Sequence, residues 1–260
     1  MGMSNVSCPR ACVTFENYGR LNNMVIQLAN AVAAFVNPST AASPASRRSI
    51  LLHDSFRASF GTHSDYAQLR RTCIFASWPP ARGGRARECT PVPARAMYTG
   101  QPLPRALTPR EEGLGRAWLM LGAVRADFRR QNAAELAALG GDFSVVHVRS
   151  LEGSCAERHQ RQARASSICR HAPAFVLQTL RSVGHESQAV VVCTDHQQPA
   201  QVALLVARLN ATVSPHRDPM RDVMTMLRCK RFVGNSASTF SLNVASVRAA
   251  VFGDALSVTV

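Results

Sequence analysis

The fold of this chain is decided by the stretch Arg231-Phe232-Val233-Gly234-Asn235-Ser236-Ala237-Ser238-Thr239-Phe240-Ser241. Its first three residues predict a short strand, and the apolar pattern over 238–249 predicts a helix. A glycine-containing turn joins the two, and Ser236, Ser238 or Thr239 could cap the helix. A helix start of this kind is also an anion site, because its first N–H groups are free and its dipole is positive there. Simple capping and anion binding both fit this stretch.

The residues before this stretch repeat the same alternation of strand and helix. We predict strands at 144–149, 189–193, 211–213 and 231–233, and helices at 173–183, 199–209, 220–229 and 238–249. Such an alternation is typical of a doubly wound α/β fold. The continuous apolar run at 189–193 is what a parallel strand covered on both faces requires. We therefore predict a Rossmann-type parallel sheet in a C-terminal lobe over 141–260, the better defined part of the chain.

The first half of the chain carries a weaker pattern. It predicts a strand at 11–17, a helix that ends near Val36, a second strand at 50–53 and one long helix over 109–138. Between about 55 and 110, repeated prolines and glycines predict an irregular, partly mobile insertion. We assign 1–140 to an N-terminal lobe, which makes the whole an α/β protein with two lobes.

The net charge of +14 and the pI of about 10.8 raise the question of a nucleic-acid partner. Lys230 is the only lysine and the arginines are spread along the chain. This distribution favours a biased coding composition, so no nucleic-acid partner is expected, although a basic nucleic-acid-binding protein remains an alternative. No apolar run reaches the length of a membrane span, and the first residues do not resemble a signal peptide. Membrane association is expected only through an anchor that this sequence does not contain.

The eight cysteines permit a disulfide framework whose pairing the sequence leaves open. Cys193 and Cys229 lie in apolar segments, which predicts buried free thiols. Two glycosylation sequons, at Asn5 and Asn210, give a weak indication of a secretory compartment. The sequence contains no Asp-x-Asp pair and no cysteine–histidine group with metal-ligand spacing, so no metal cofactor is expected.

Polar residues follow three of the predicted strands, in Val146-His147-Val148-Arg149, Thr194-Asp195 and Gly234–Ser241. The carboxyl ends of parallel strands lie at one edge of a sheet, where α/β proteins bind ligands. The planar guanidinium of Arg149 can hold two phosphate oxygens at once. Together with a hydroxyl-rich helix start, this arrangement suits a diphosphate-bearing ligand. The alternatives are a surface arginine and a hydrogen-bonded core histidine.

A second polar turn, Gly19-Arg20-Leu21-Asn22-Asn23, lies between a strand and a helix in the first half. This turn, His147-Val148-Arg149, and the block from Asp222 to Ser241 together resemble motifs of the GDP-fucose-dependent fucosyltransferase superfamily. The resemblance is closest to its protein O-fucosyltransferase and plant O-fucosyltransferase-like branches. It covers both ends of the chain but not residues 55–140, and its C-terminal block is the more specific part.

The resemblance implies a two-lobed GT-B architecture and a metal-independent, inverting glycosyltransferase of the secretory pathway (Golgi or ER). GDP-fucose would be the donor substrate, held mainly by the second lobe, and a glycan or a protein would be the acceptor. The implied catalytic residues are Arg149, Glu16 and Asn23, with Glu152 as the rival base. The implied donor-binding residues are Arg20, Asn22, His147, Arg149, Asp195, Ser236, Ser238, Thr239 and Phe240.

The implied roles differ among these residues. Arg149, Ser238 and Thr239 would contact the phosphates, Asp195 the guanosine end, and Asn22 or Asn23 the junction between donor and acceptor. The chain is short for a two-lobed glycosyltransferase, so the main alternative is a truncated, inactive or noncatalytic member with the same fold, such as a binding protein.

Overall fold

The computed structural model describes residues 8–18, 21–36, 47–60, 63–77, 88–103, 105–138, 142–148, 173–182, 189–194, 199–215, 218–235, 238–253 and 257–259. Its contacts divide the chain into two compact units, Met1–Arg129 and Arg130–Val260. This division falls inside a helix, and the sequence-based boundary at 140/141 stays a prediction.

The first unit is built from short elements. Its strands and helices are β1 (Cys12–Thr14), α1 (Leu21–Ala31), β2 (Ser49–Leu51), α2 (Asp54–Phe60), α3 (Tyr66–Arg71), β3 (Ile74–Phe75), β4 (Thr90–Pro91), α4 (Ala94–Thr99) and α5 (Pro109–Ala117). Helix α1 continues into a π-helical turn at Val32–Val36, and α5 continues into another at Trp118–Gly122. Helix α6 (Ala126–Ala137) then spans the division between the units.

The first sheet has the strand order β3-β2-β1-β4, and all of its pairings are parallel. The prediction of an irregular insertion at 55–110 is wrong for its described residues, because α2, α3, β3, β4 and α4 lie there. The prolines mark element ends: Pro93 is the N-cap of α4, and Pro91 belongs to the edge strand β4, where a missing N–H is tolerated.

The predicted single helix over 109–138 is interrupted. The backbone of 123–125 pairs with 63–65 instead: the Asp65 N–H donates to the Ala123 carbonyl at 2.7 Å and the Arg125 N–H donates to the His63 carbonyl at 2.8 Å. Leu114 in α5 is exposed, while Leu119 and Met120 in the π-helical turn are buried. The helical period therefore changes where the chain forms this distant bridge.

Two disulfides join the start of the first unit to its later strands. Cys8 is bonded to Cys73, and Cys12 in β1 is bonded to Cys89, just before β4. They close long loops, so they restrict the unfolded chain more than short-range bridges would. Cys193 and Cys229 are buried free thiols, as predicted.

The second unit follows the predicted alternation closely. Its elements after α6 are β5 (Phe143–Val148), α7 (Pro173–Ser182), β6 (Ala189–Thr194), α8 (Pro199–Leu209), β7 (Thr212–Val213), α9 (Pro219–Arg228), β8 (Arg231–Gly234), α10 (Thr239–Phe252) and β9 (Ser257–Thr259). Strand β9 was not predicted. The Cys155 and Cys169 segment lies outside the described residues.

The second sheet has the order β7-β6-β5-β8-β9, and all of its pairings are parallel. All six residues of β5 are buried, which fits a central parallel strand. Val146, Val192 and Val233, from β5, β6 and β8, share one core cluster with Leu180 of α7 and Leu205 of α8. The predicted α/β class with two parallel sheets is confirmed. Among the described residues, no helix is long and apolar enough to cross a membrane.

Candidate functional site

The order of the second sheet has a switch point between β5 and β8. From β5 the chain moves outward through β6 and β7, then returns to the other side for β8 and β9. Ligands of open α/β sheets bind at the carboxyl ends of the strands beside such a point. His147 is the second-to-last residue of β5, and Gly234 is the last residue of β8.

His147 is held by a buried hydrogen-bond chain. Its Nδ1 lies 2.7 Å from the Ser241 hydroxyl oxygen, and that oxygen accepts the Asn235 N–H at 2.8 Å. The chain links the end of β5, the turn after β8 and the first turn of α10. It fixes the imidazole ring whichever nitrogen carries the proton. His147 is therefore a positioning group for the turn, with its ring buried.

Gly234 permits the close approach that this chain of hydrogen bonds requires. A Cβ at this position would lie 2.7 Å from the Ser241 Cβ and 2.9 Å from the Phe232 ring. Such distances are not compatible with a side chain, so any other residue would push α10 away from β8. The Phe240 ring packs beside His147, with a distance of 5.0 Å between the two ring centroids.

Ser238 is the N-cap of α10, but its side chain does not cap the helix. Its residue is 3% exposed, and its hydroxyl has no hydrogen-bond partner among the described residues. A buried hydroxyl without a partner costs roughly 1–3 kcal/mol. Ser238 therefore lies at a helix start with a donor available for a ligand. Thr239, the first helical residue, is half-buried.

A second polar cluster is formed by Cys193 of β6, Ser214 after β7 and Asp222 of α9. The Ser214 hydroxyl donates to Asp222 Oδ1 at 2.6 Å, and the Cys193 thiol is close enough to interact electrostatically with this carboxylate. Burial raises the pKa of the Cys193 thiol well above its ordinary value, and the nearby Asp222 carboxylate raises it further. The thiol therefore stays protonated and is not a nucleophile at neutral pH.

Three further predicted site residues, Asn22, Asn23 and Glu16, lie in the first unit. Asn22 is buried in the first turn of α1, and Asn23 beside it is half-buried. The Glu16 side chain is 76% exposed, with its Oε1 4.0 Å from His53 Nε2.

Gln27 fixes the backbone around Glu16. Its Nε2 donates to the Glu16 carbonyl at 3.1 Å and to the Ala94 carbonyl at 2.9 Å, while its Oε1 accepts the Tyr18 N–H at 2.7 Å. Glu16 follows β1 and Ala94 follows β4, so this amide bridges the switch point of the first sheet.

Of the predicted site residues described in the second unit, His147 and Phe240 are in ring contact, and Ser238 and Thr239 begin α10. Their grouping into one donor site stays a prediction. Arg20, Arg149, Glu152, Asp195 and Ser236 lie outside the described residues, and their roles stay predictions. Sequence reasoning did not single out Ser241 or Gln27. A buried polar residue on an apolar helix face was the only signal for each. No cluster of three or more potential metal ligands is found within the described ranges, and metal independence stays a prediction.

Comparison with known proteins gives a likeness in structure alone. No protein-family model matches the chain, and no curated protein matches it at a significant level. Solved structures of POFUT1 do match: a complex with GDP has a TM-score of 0.59 at 14% identity, covering 97% of this chain and 99% of that chain. A POFUT1 complex with GDP-fucose has a TM-score of 0.55 at 14% identity, covering 98% and 99%.

A bacterial enzyme gives the same result. The fucosyltransferase NodZ from Bradyrhizobium has a TM-score of 0.56 at 14% identity, covering 91% of this chain and 92% of that chain. At this identity the likeness establishes the fold and leaves the activity to be tested. The chain has the GT-B-like α/β fold of these fucosyltransferase structures along nearly its whole length.

Proposed function

We propose that the chain is a metal-independent, inverting glycosyltransferase that moves fucose from GDP-fucose to an acceptor hydroxyl. The single observation that carries this proposal is the buried Ser238 hydroxyl, unpartnered among the described residues, at the start of α10. It lies beside the β5–β8 switch point, where a diphosphate would meet the helix dipole and free N–H groups. The shared fold with GDP- and GDP-fucose-bound structures supports the same donor.

The reaction needs stabilisation of a leaving group. As the acceptor oxygen attacks the anomeric carbon, the bond to the diphosphate breaks and negative charge grows on the phosphate oxygens. Donors that already point at this charge lower the barrier, because they need no reorganisation. Ser238, the first N–H groups of α10 and the Arg149 guanidinium are the proposed donors. Asp195 is proposed to contact the guanosine end.

The acceptor must also lose a proton. We assign this proton to Glu16, which follows β1 and has an exposed carboxylate. The Gln27 side chain holds the Glu16 backbone by donating to its carbonyl. Glu152 and the diphosphate itself are the rival proton acceptors. Asn22 and Asn23 are proposed to lie near the acceptor, which is a glycan or a protein.

Ser238→Ala tests the donor site. We expect GDP and GDP-fucose to bind more weakly by about 1.5–3 kcal/mol, the value of a hydrogen bond to a charged group. The melting temperature without ligand should stay unchanged or rise, because the substitution removes an unpartnered buried hydroxyl. Isothermal titration and thermal unfolding measure both quantities. Ser246→Ala, on the same helix, is the control, and equal GDP affinity in both variants would remove Ser238 from the donor site.

Glu16→Gln separates an enzyme from a binding protein. We expect turnover to fall about 100-fold, typical of a lost general base, while GDP-fucose affinity stays unchanged. The assay measures GDP release with an acceptor panel in excess chelator, and wild-type turnover should persist there. Glu88→Gln, also exposed in the first unit, is the control. Donor binding without turnover in the wild type would establish the noncatalytic alternative.

A further inference from the structure

The turn between α8 and β7 carries the sequence Asn210-Ala211-Thr212, which fits the acceptor sequon for N-linked glycans. Asn210 and Thr212 are both exposed, whereas Ala211 between them is buried. We propose that Asn210 is an N-glycosylation site of this protein. The proposal is independent of the donor site.

The backbone holds Asn210 at the surface. It follows the last residue of α8 with a φ of 46°, in the left-handed region that asparagine tolerates better than most residues. The Ala211 N–H closes the helix end by donating to the Val206 carbonyl at 3.0 Å. The turn is therefore ordered by its backbone, and the exposed Asn210 side chain is not needed for the core.

The sheet leaves room beside this turn. Strand β7 lies at one end of the order β7-β6-β5-β8-β9, and within the described residues it pairs only with β6. A glycan on Asn210 would therefore extend beside an edge strand rather than against a packed face. Exposed edges promote pairing with other chains, so a glycan here would also shield that edge.

The two disulfides supply the second, independent observation. Cys8–Cys73 and Cys12–Cys89 join segments far apart in the sequence. Such bridges form and persist in oxidising compartments and are rare in the cytosol. The endoplasmic reticulum provides both disulfide formation and N-glycan transfer, so a chain that acquires these bridges there also meets the glycan donor.

The transfer step uses a lipid-diphosphate-linked oligosaccharide as co-substrate. The Asn210 side-chain nitrogen attacks the anomeric carbon of that oligosaccharide and loses one proton. A carbon–nitrogen bond forms, the carbon–oxygen bond to the diphosphate breaks, and the lipid diphosphate leaves with the electron pair. No oxidation or reduction occurs.

The test uses the full chain secreted from a eukaryotic host, in an Asn5→Gln background so that Asn210 carries the only sequon. We expect a single mobility shift that peptide N-glycosidase removes, with Asn210 converted to aspartate in the released peptide. Mass spectrometry locates that conversion. The same chain made in the cytosol of the host should show neither change.

Two substitutions at Thr212 provide matched controls. Thr212→Ser keeps the hydroxyl that the sequon requires and should keep the shift. Thr212→Val keeps the β-branched shape suited to a strand and should lose the shift while the chain remains folded by circular dichroism. A secreted, folded chain whose Asn210 peptide is wholly unmodified would overturn the proposal, as would a shift that persists in Thr212→Val.

Discussion

Replacing Arg248 with methionine is expected to lower the free energy of unfolding of the second unit by about 3–5 kcal/mol, the usual cost of removing one member of a buried charged network. Arg248 is 3% exposed on α10. Its Nη1 donates to the carbonyls of Met226 and Cys229 at 2.9 and 2.6 Å, and its Nη2 donates to the Lys230 carbonyl at 3.1 Å. Its Nε donates to the Ser257 hydroxyl at 2.7 Å.

The cost follows from where these acceptors lie. The last carbonyls of a helix have no partner within that helix, and Arg248 supplies partners at the buried end of α9. It also ties α9 to β8 and β9, so its loss leaves several buried oxygens unpaired. Lysine cannot reproduce the planar fork, so Arg248→Lys should recover only part of the stability.

Denaturant unfolding and amide hydrogen exchange in α9 and β8 measure this effect. Arg228→Met is the matched control, because Arg228 is exposed at the end of α9, the helix that Arg248 contacts. It should cost no more than about 1 kcal/mol, through the helix dipole. Equal losses in the two variants would show that the buried arginine is not the link between these elements.

Arg149→Ala is expected to weaken binding of GDP and GDP-fucose by about 2–4 kcal/mol, the range seen when a contact to developing charge is removed. Arg149 directly follows Val148, the last residue of β5, which is buried and paired with Thr194 of β6. The residue thus comes after a strand end that the sheet holds firmly. Arg149→Lys should rescue little, because a point charge cannot grip two phosphate oxygens.

Titration with both nucleotides and a melting curve test this prediction. Folding should be preserved in Arg149→Ala, because the substitution follows the last residue of β5 and leaves the core residues Val146 and Val148 unchanged. Arg181→Ala, an exposed arginine at the end of α7, is the control for the loss of net charge. Wild-type affinity in Arg149→Ala would disprove the donor site and remove most of the case for a fucosyltransferase.

Most elements of the second unit could be predicted because they carry a local signal, whereas β9 was missed. Residues 189–193 of β6 are a continuous apolar run, and α7, α8 and α9 each begin at a proline. The short elements of the first unit have no such signal. They depend on distant partners, such as the bridge between Ser64 and Val124 and the disulfide from Cys12 to Cys89. No local window contains those partners.

The candidate site could likewise be predicted only in part from the sequence. The strand-end argument predicts that the end of β5 and the turn after β8 lie at one edge of the sheet, and β5 does pair with β8 in parallel. It could not show that Ser241 binds both His147 and the Asn235 backbone, since this depends on how closely α10 approaches β8. Nor could the sequence show that the Ser238 hydroxyl is buried and has no hydrogen-bond partner among the described residues. That depends on how other parts of the chain pack around it.

The bridge made by Gln27 has a consequence for how many nucleotides the proposed function would place on one chain. The order β3-β2-β1-β4 of the first sheet is repeated by β7-β6-β5-β8 in the second sheet, which adds β9 at its edge. The topology that suits a nucleotide therefore occurs twice in the chain. In the first sheet an amide side chain already joins the segments after the two strands beside the switch point. In the second sheet the corresponding edge presents the Ser238 hydroxyl and a helix start. The duplicated topology is thus used asymmetrically, and the proposed stoichiometry is one nucleotide per chain.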